Sequence, residues 1–529
     1  MMLACNIIAI VLAVICMVYE FRRQLMMLQQ NSYRNERYRR WLSASQDSTS
    51  TMRLITGAVA LASLSTLSVP MVSLGLVTLI SVVNIFSLAN RKYKKPLVMT
   101  KRAWRILATM LVLAAIPIAA VILICIFGGY PLDRAAVTAL IIFCFSQVFA
   151  LAANSLLKPV EAHINRKYYL DAERILKSMP DLKIIGITGS YGKTSTKHYL
   201  NRILSEKYDV MMTPGSFNTT MGVIRTVREY LKPYNEVFIV EMGAKQPNDI
   251  KEICDLVLPS VGIVTAVGEQ HLESFKTIEN VQRTKFELID SLPADGLAVV
   301  NDDFPYVANR PVDNVECVRY AVSSTGAAAY TAEDIAYTPQ GTSFTVLTPA
   351  GERIPFTTHL VGECNVSNLL AAIIVALRMD VPVDKIRYAV DNIEQVEHRL
   401  NMKRTPGGIT IIDDAFNSNP TGSKMALDVL KMMTGGRRII VTPGMIELGD
   451  RQAELNGKFG EAIADSADIA IIVGEYNREA IVAGIESVEP RSAKIYKVAS
   501  FAESQQLLST MLKPGDTILY ENDLPDTFK

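Results

Sequence analysis

The sequence predicts a helical membrane region followed by two α/β domains, a parallel sheet that carries a phosphate loop and a separate Rossmann-like sheet. Three observations carry this. Apolar, uncharged runs crowd the first third of the 529 residues, which helps raise mean hydropathy to +0.21. The run Thr188-Gly189-Ser190-Tyr191-Gly192-Lys193-Thr194 ends an apolar strand, Ile184 to Ile187, and opens a helix. Beyond it, strand-like and helix-like segments alternate, the pattern of a parallel sheet covered by helices.

Met1 to Tyr19, Leu54 to Asn90, Ile106 to Leu132 and Ala135 to Leu157 contain no charged residue. One helix needs about 20 apolar residues to cross a bilayer. Leu54 to Asn90 spans 37 residues and contains Ser68-Val69-Pro70, so it reads as a tight hairpin and the expected total is five spans. Basic residues follow spans one, three and five: Arg22, Arg23, Arg34, Arg37, Arg39 and Arg40; Arg91, Lys92, Lys94, Lys95, Lys101 and Arg102; Lys158, Arg166 and Lys167. The positive-inside rule then expects a multi-pass protein of the cytoplasmic membrane, N-terminus outside and everything after Lys158 in the cytoplasm. A cleaved signal peptide is disfavoured because no Lys or Arg precedes the first apolar core. The expected divisions are 1–158 for the membrane region, 159–180 for an amphipathic connector, 181–404 for the first α/β domain and 405–529 for the second.

Net charge of +1 gives no argument for a nucleic-acid partner, and the seven cysteines show no metal or disulfide spacing. Uncharged spans also argue against ATP-driven transport, which needs polar groups within the membrane.

The loop at Gly189 is a phosphate cradle: backbone N–H groups at a Gly-rich turn converge on one point, Lys193 adds positive charge and Thr194 offers a hydroxyl to Mg²⁺. Its spacing departs from the strict G-x-x-x-x-G-K-[ST] form, since Ile187 stands where the first Gly belongs. Strands are expected at Ile184 to Thr188, Val237 to Glu241 and Val261 to Val267. A β-rich stretch from Gly296 to Gly362 follows, then a helix from Val366 to Arg378. After breakers at Thr405-Pro406-Gly407-Gly408, read as a linker, strands are expected at Ile409 to Asp413, Arg438 to Thr442, Ile469 to Val473, Ile495 to Val498 and Thr517 to Tyr520.

Chemistry-bearing residues fall at strand ends, where ligands of open α/β sheets bind. Glu241 closes a strand, within reach of a phosphate-bound Mg²⁺. His271 follows the next strand, and Lys285 lies in the helical run Ile278 to Leu288. Asn365 and Asn368 open a helix, where capping is the plain alternative. The pair His398-Arg399 and the segment Asp413-Asp414-Ala415-Phe416-Asn417-Ser418-Asn419-Pro420 complete the set.

In this order, over about residues 180 to 520, these residues resemble the Mur ligase superfamily, ATP-dependent amide ligases that build the peptide of the bacterial cell wall. Gly215-Ser216-Phe217-Asn218-Thr219-Thr220-Met221-Gly222, Glu241-Met242-Gly243-Ala244, the Asp413 to Pro420 segment and Gly444-Met445-Ile446-Glu447-Leu448-Gly449 look most like the branch that adds D-alanyl-D-alanine to a UDP-linked muramoyl tripeptide. The resemblance implies that Gly189, Ser190, Tyr191, Gly192, Lys193, Thr194 and Ser195 hold the ATP phosphates. Thr194 and Glu241 would hold one Mg²⁺, His271 a second, with Lys285 carbamylated beside it. Asn365 and Asn368 would border adenine, Asp414 would bind ribose and Arg399 would reach the γ-phosphate. Asn218, Thr219 and Thr220 would form the carboxylate-substrate loop, and Asn417, Asn419 and Asp523 would lie near the amine.

Two features depart from that branch. Five spans replace its UDP-binding domain, so the acceptor is either a small UDP-linked precursor met by a tethered ligase or a lipid-linked precursor held at the membrane. The terminus, Tyr520-Glu521-Asn522-Asp523-Leu524-Pro525-Asp526, lacks the branch's Lys-Gly-Ser segment, leaving the amine, an amino acid or a dipeptide, open. A nucleotide-binding membrane regulator without ligase activity is the alternative from another class.

Overall fold

The computed structural model describes residues 2–65, 70–93, 95–322, 328–338, 341–416, 418–489 and 493–524. The chain separates into two compact units, one within residues 1–166 and the other Lys167–Asp523.

The first unit is helical: α1 (Met2–Gln30), α2 (Asn35–Ala44), α3 (Thr51–Ser65), α4 (Pro70–Ala89), α5 (Lys101–Gly128), α6 (Asp133–Cys144) and α7 (Ser146–Lys177), whose last turns belong to the second unit. Its helices turn large apolar side chains outward, Phe86 at 73% and Phe127 at 85% exposure among them. Helix α1, α4 from Met71 and α5 are long and apolar enough to cross a membrane, and α6 with α7, bent by 73°, would make a fourth if the pair is one span. Helix α3 has 15 residues, about 22 Å at about 1.5 Å per residue, which is short of the roughly 30 Å hydrocarbon core. Among the described residues the five expected spans therefore become three, or four, by length and composition. Leu54 to Asn90 does divide into two helices, but Ser68 and Val69 of the expected turn lie outside the described residues. Glu20 and Arg23 of α1 and Arg53 of α3 are buried and paired, while Arg22 is exposed: Arg53 Nη2 lies 2.6 Å from Glu20 Oε1, its Nη1 donates to Cys144 O at 2.6 Å, and Arg23 pairs with Asp47. Such pairing is what permits charge inside an apolar bundle.

The second unit opens with β1 (Lys183–Thr188), α8 (Lys193–Leu204), β2 (Val210–Met212), α9 (Thr220–Glu229), β3 (Val237–Glu241), α10 (Asp249–Val257), β4 (Val261–Val264), α11 (Leu272–Phe275), α12 (Ile278–Asp290), β5 (Leu297–Asn301) and α13 (Pro305–Ala308). Strands β6 (Glu316–Ala321), β7 (Tyr330–Thr338), β8 (Gly341–Leu347) and β9 (Arg353–Thr358) extend the same sheet, in the order β2-β3-β1-β4-β5-β6-β7-β8-β9. The pairs from β2 through β7 are parallel, while β7, β8 and β9 pair antiparallel. Strand β4 ends at Val264, three residues before the expected Val267, because Thr265 to Gly268 turn to meet the phosphate loop. Helix α14 (Glu363–Arg378) packs on α8, and its cap is Gly362, so Asn365 and Asn368 are inside it rather than capping it. Helix α15 (Val383–Asp391) follows.

The second sheet comprises β10 (Asn401–Arg404), β11 (Thr410–Asp414), β12 (Arg438–Thr442), β13 (Ile469–Val473), β14 (Lys494–Val498) and β15 (Thr517–Glu521), in the order β10-β11-β15-β12-β13-β14. Helices α16 (Pro420–Lys431), α17 (Gln452–Ser466), α18 (Arg478–Glu486) and α19 (Phe501–Met511) connect the strands. The expected boundary at 405 is corrected here. Thr405-Pro406-Gly407-Gly408 forms the turn of a hairpin, Thr405 N donating to Ile409 O at 2.8 Å, and β10 pairs antiparallel with β11. Pro and Gly mark a turn inside the sheet, which already includes Asn401.

Strand β15, which carries Glu521 to the site, is entered through Asp516, 2% exposed and 2.6 Å from Arg437. Burial opposes the ionised Asp516 carboxylate, but Arg437 and backbone N–H groups outweigh it and hold the carboxyl below its usual range. A depressed folded-state pKa contributes stability above the unfolded value of about 3.9 that is lost as pH falls through the folded value. Asp516→Asn should therefore cost about 1–3 kcal/mol at neutral pH, with the gap closing in acid, as read from urea unfolding midpoints at both pH values.

Candidate active site

The site gathers at the carboxyl ends of β1, β3 and β4, where chain leaving a parallel sheet exposes backbone N–H groups. Gly192 caps α8 at φ +80°, and a Cβ there would overlap Asn368 Oδ1, so the loop needs glycine for both conformation and space. The loop is tied down on its far side: Ser190 N donates to Ala266 O at 2.8 Å and Ser190 Oγ to Gly268 O at 3.0 Å. Lys193 folds back over it and donates from Nζ to Gly189 O at 2.6 Å. Ser195, the last residue of the expected set, is buried in α8. Tyr191 packs edge-on against Phe304 at 5.1 Å and bonds Thr421 of α16.

Glu241, 2% exposed, is the centre of the constellation. Thr194 Oγ1 donates to its Oε1 at 3.2 Å, Asn218 Nδ2 donates to the same oxygen at 3.0 Å, and Lys197 Nζ lies 3.0 Å from Oε2. Burial opposes ionisation of Glu241, but Lys197 and Lys193 outweigh it and keep the carboxylate charged. Asn218 is positioned through Gly243, whose N–H donates to Asn218 O at 2.7 Å and whose missing side chain leaves room for the Asn218 amide. Lys197 was not anticipated from sequence. It is fully buried and also donates to Thr213 O at 2.9 Å and Gly215 O at 2.7 Å, fixing the loop that leads to Asn218. Its signal was available, because four residues after Lys193 on a helix is the same face.

Lys285 is 1% exposed, and its pKa is driven well below the ordinary lysine value by burial and then by Lys193. His271, held at φ +54°, has its pKa lowered by burial against the pull of Glu447, whose carboxylate its Nδ1 meets. Glu447 belongs to the loop after β12, so the His271 loop and the Gly444 to Gly449 motif lock together; Arg451 pairs with Glu269 in the same seam.

On the second sheet, Arg399 lies 4.3 Å over the Phe416 ring, and its charge is felt by Lys193. Burial disfavours its charged form, opposed by Asp414, Glu241 and Glu521. Asp414 accepts from Leu400 N at 3.2 Å, and burial raises its pKa. Glu521, also unanticipated, is 1% exposed and accepts from Ser418 at 2.7 Å and Ser423 at 3.0 Å; burial and Asp414 raise it well above a normal carboxyl.

Several expected residues have structural duties. Asn365 accepts from the Tyr199 hydroxyl at 2.7 Å and donates to Val361 O at 2.9 Å, and Asn368 accepts from Thr196 at 3.2 Å, so both lock α14 to α8. Thr219 caps α9 through Gly222 N at 3.3 Å, and Thr220 donates to Glu252 at 2.8 Å. Asn419 caps α16 through Gly422 N at 3.0 Å. Asp523 is exposed beside Asn522, which donates to Gly444 O at 2.6 Å. Asn417 lies outside the described residues.

Residues 187–376 match the Mur ligase middle domain, and residues 398–520 match the Mur ligase glutamate ligase domain. The chain belongs to the Mur ligase family. It is 27% identical over 345 residues to the UDP-N-acetylmuramoyl-tripeptide--D-alanyl-D-alanine ligase of Bacillus subtilis, covering 64% of this chain and 72% of that protein. It is 30% identical over 366 residues to the ligase of the same name in Mycobacterium tuberculosis, covering 64% and 70%. The fold is similar to the MurF ligase of Thermotoga maritima in complex with ADP, at a TM-score of 0.61 and 25% identity over 68% of this chain and 80% of that one. This Mur ligase is an ATP-dependent, ADP-forming amide ligase that uses Mg²⁺. Among the described residues no cluster of three or more His, Cys, Asp or Glu could hold a metal ion. That fits Mg²⁺, which binds through one or two protein oxygens and completes its shell with phosphate and water; the buried Glu241 carboxylate and the Thr194 hydroxyl beside it are such a pair.

Burial pushes Lys193 down to about 8. A bound polyphosphate stabilises its charged form, so nucleotide binding should take up a proton and weaken as pH rises through about 8. Calorimetry in buffers of different ionisation enthalpy measures that uptake directly. Lys197→Met should cost about 3–5 kcal/mol of stability by stranding Glu241, and should weaken nucleotide binding in the same titration.

Proposed function

We propose that this Mur ligase joins D-alanyl-D-alanine to a muramoyl tripeptide at the cytoplasmic face of the cell membrane, with its N-terminal helices as the membrane part. The observation that carries the ligase reading is convergence from two sheets: Lys193 and Glu241 from the first, Arg399 from the second, all close enough to influence one another's charge. Likeness to D-alanyl-D-alanine ligases supports the choice of dipeptide. The outward apolar side chains of α1, α4 and α5 support the membrane placement.

The substrate carboxylate attacks the γ-phosphate, giving an acyl phosphate and ADP, and the dipeptide amine then displaces phosphate through a tetrahedral intermediate. Both steps concentrate negative charge where Lys193 and Arg399 supply positive charge without reorganisation. Thr194 and Glu241 would hold Mg²⁺, which would supply further positive charge to the phosphate oxygens. The Glu447–His271 and Arg451–Glu269 contacts close the seam between the domains, which keeps water from the acyl phosphate. Lys285, buried and biased toward the neutral amine, is in the form that adds CO₂; as a carbamate it becomes an anion beside Lys193.

A second reading replaces the UDP-linked precursor with a polyprenyl-linked one, favoured by apolar helices preceding the residues that match the two Mur ligase domains. Phosphate release from the detergent-solubilised chain, with ATP, Mg²⁺, D-alanyl-D-alanine and either precursor, separates the two when products are weighed by mass spectrometry. Release dependent on both precursor and dipeptide supports ligation, whereas release indifferent to them overturns it. Arg399→Ala should lower kcat by about 10²–10³ with nucleotide affinity little changed. Lys285→Ala should lose both activity and the carbamate signal obtained from ¹³C-labelled bicarbonate.

A further inference from the structure

We propose that one end of the helical unit binds the phosphate group of an anionic membrane lipid; the inference rests on reading that unit as membrane-embedded. Four stretches meet at this end: the last turn of α1, the α1–α2 turn, residues 91–105 and residues 154–161 of α7. Gln29 donates to Val98 O at 2.9 Å, Gln30 to Lys95 O at 2.9 Å, and Asn154 to Tyr33 O at 2.9 Å.

Residues 91–105 contain seven basic side chains and no acidic one. Arg91, Lys92, Lys95 and Lys101 are exposed, as are Arg39 and Arg40 on α2 and Lys158 on α7. Behind them two guanidiniums share one carboxylate. Arg105 grips Glu161 with both arms, at 2.7 and 2.9 Å, while Arg102 Nε stands 4.0 Å from the same group and its guanidinium lies 4.3 Å over the Tyr33 ring. Arg102 Nε is buried and makes no hydrogen bond. One positive charge is thus left over in a half-buried setting, with Arg102 Nη2 3.5 Å from the Asn154 amide oxygen and exposed cations on the adjoining stretches, where a phosphate oxygen can be held by planar and point-charge donors together. Trp104, 59% exposed on α5 between Arg102 and Arg105, is the side chain expected at headgroup depth. The other helix connections lack this character: residues 66–69 carry no charge, and 129–134 carry one acid and one base.

Cations near an anionic leaflet each strengthen binding by about fivefold, an effect that fades with salt. The test uses the full chain in neutral detergent, with native mass spectrometry and fluorescence titration against phosphatidylcholine, phosphatidylglycerol, a polyprenyl diphosphate and inorganic diphosphate. Phosphatidylglycerol should bind at least about tenfold more tightly than phosphatidylcholine. Lys92→Gln with Lys95→Gln and Lys101→Gln, all exposed and safe for folding, should erase most of that preference, and Arg102→Gln should weaken it separately. Tighter binding of the polyprenyl diphosphate would support the site and name its source. Equal binding of the two phospholipids, indifference to the triple substitution, or capture of inorganic diphosphate alone would overturn the inference. Carbonate washing of membranes tests the underlying reading: loss from the membrane overturns that reading, while retention without anionic preference overturns only the lipid site.

Discussion

The ion pair between Lys197 and Glu241 is the contact on which the catalytic unit depends. Both groups are essentially without solvent, and a buried charge is tolerated only when paired and hydrogen-bonded. The pair joins helix α8, which begins at the phosphate loop, to the end of β3, and through Thr213 and Gly215 it also fixes the loop that delivers Asn218. The loop at Gly189, the Glu241 carboxylate and the loop bearing Asn218 are held in one frame by two side chains. The low dielectric that makes the pair costly to break also strengthens Lys193 against a developing phosphate charge.

A second layer comes from the seam between the two sheets. His271 and Glu447 both hold left-handed backbone conformations, and the Glu447 carboxylate meets His271 Nδ1. Glu521, reached by β15, binds Ser418 and Ser423 and thereby fixes the segment bearing Phe416, on which Arg399 rests. The second domain thus contributes one cation and the contacts that aim it.

Strands with continuous apolar runs, such as Val237 to Glu241 and Ile469 to Val473, were legible to the residue because a parallel strand buried on both faces leaves little ambiguity. The phosphate loop and Glu241 were legible for a related reason, since a polar cluster that ends such a strand has few other uses. Pro406-Gly407-Gly408 was misread as a linker because breakers mark any turn, and only the pairing of β10 with β11 shows which kind it is. Helix α3 was counted as a span on composition alone, though a buried charge cluster at Arg53 lies near its start.

The sequence by itself determined the order of helices and strands in the α/β domains and the family, and singled out Lys193 and Glu241, because these reside in local pattern and spacing. Tertiary structure decided which polar residues face the site and which hold the frame. Asn365, Asn368, Thr219 and Asn419 clasp or cap helices in this fold, while Lys197, Glu447 and Glu521 contact residues expected at the site. The physical reason is that a side chain's duty depends on what lies within about 3 Å of its polar atoms, and most of those neighbours are remote in sequence.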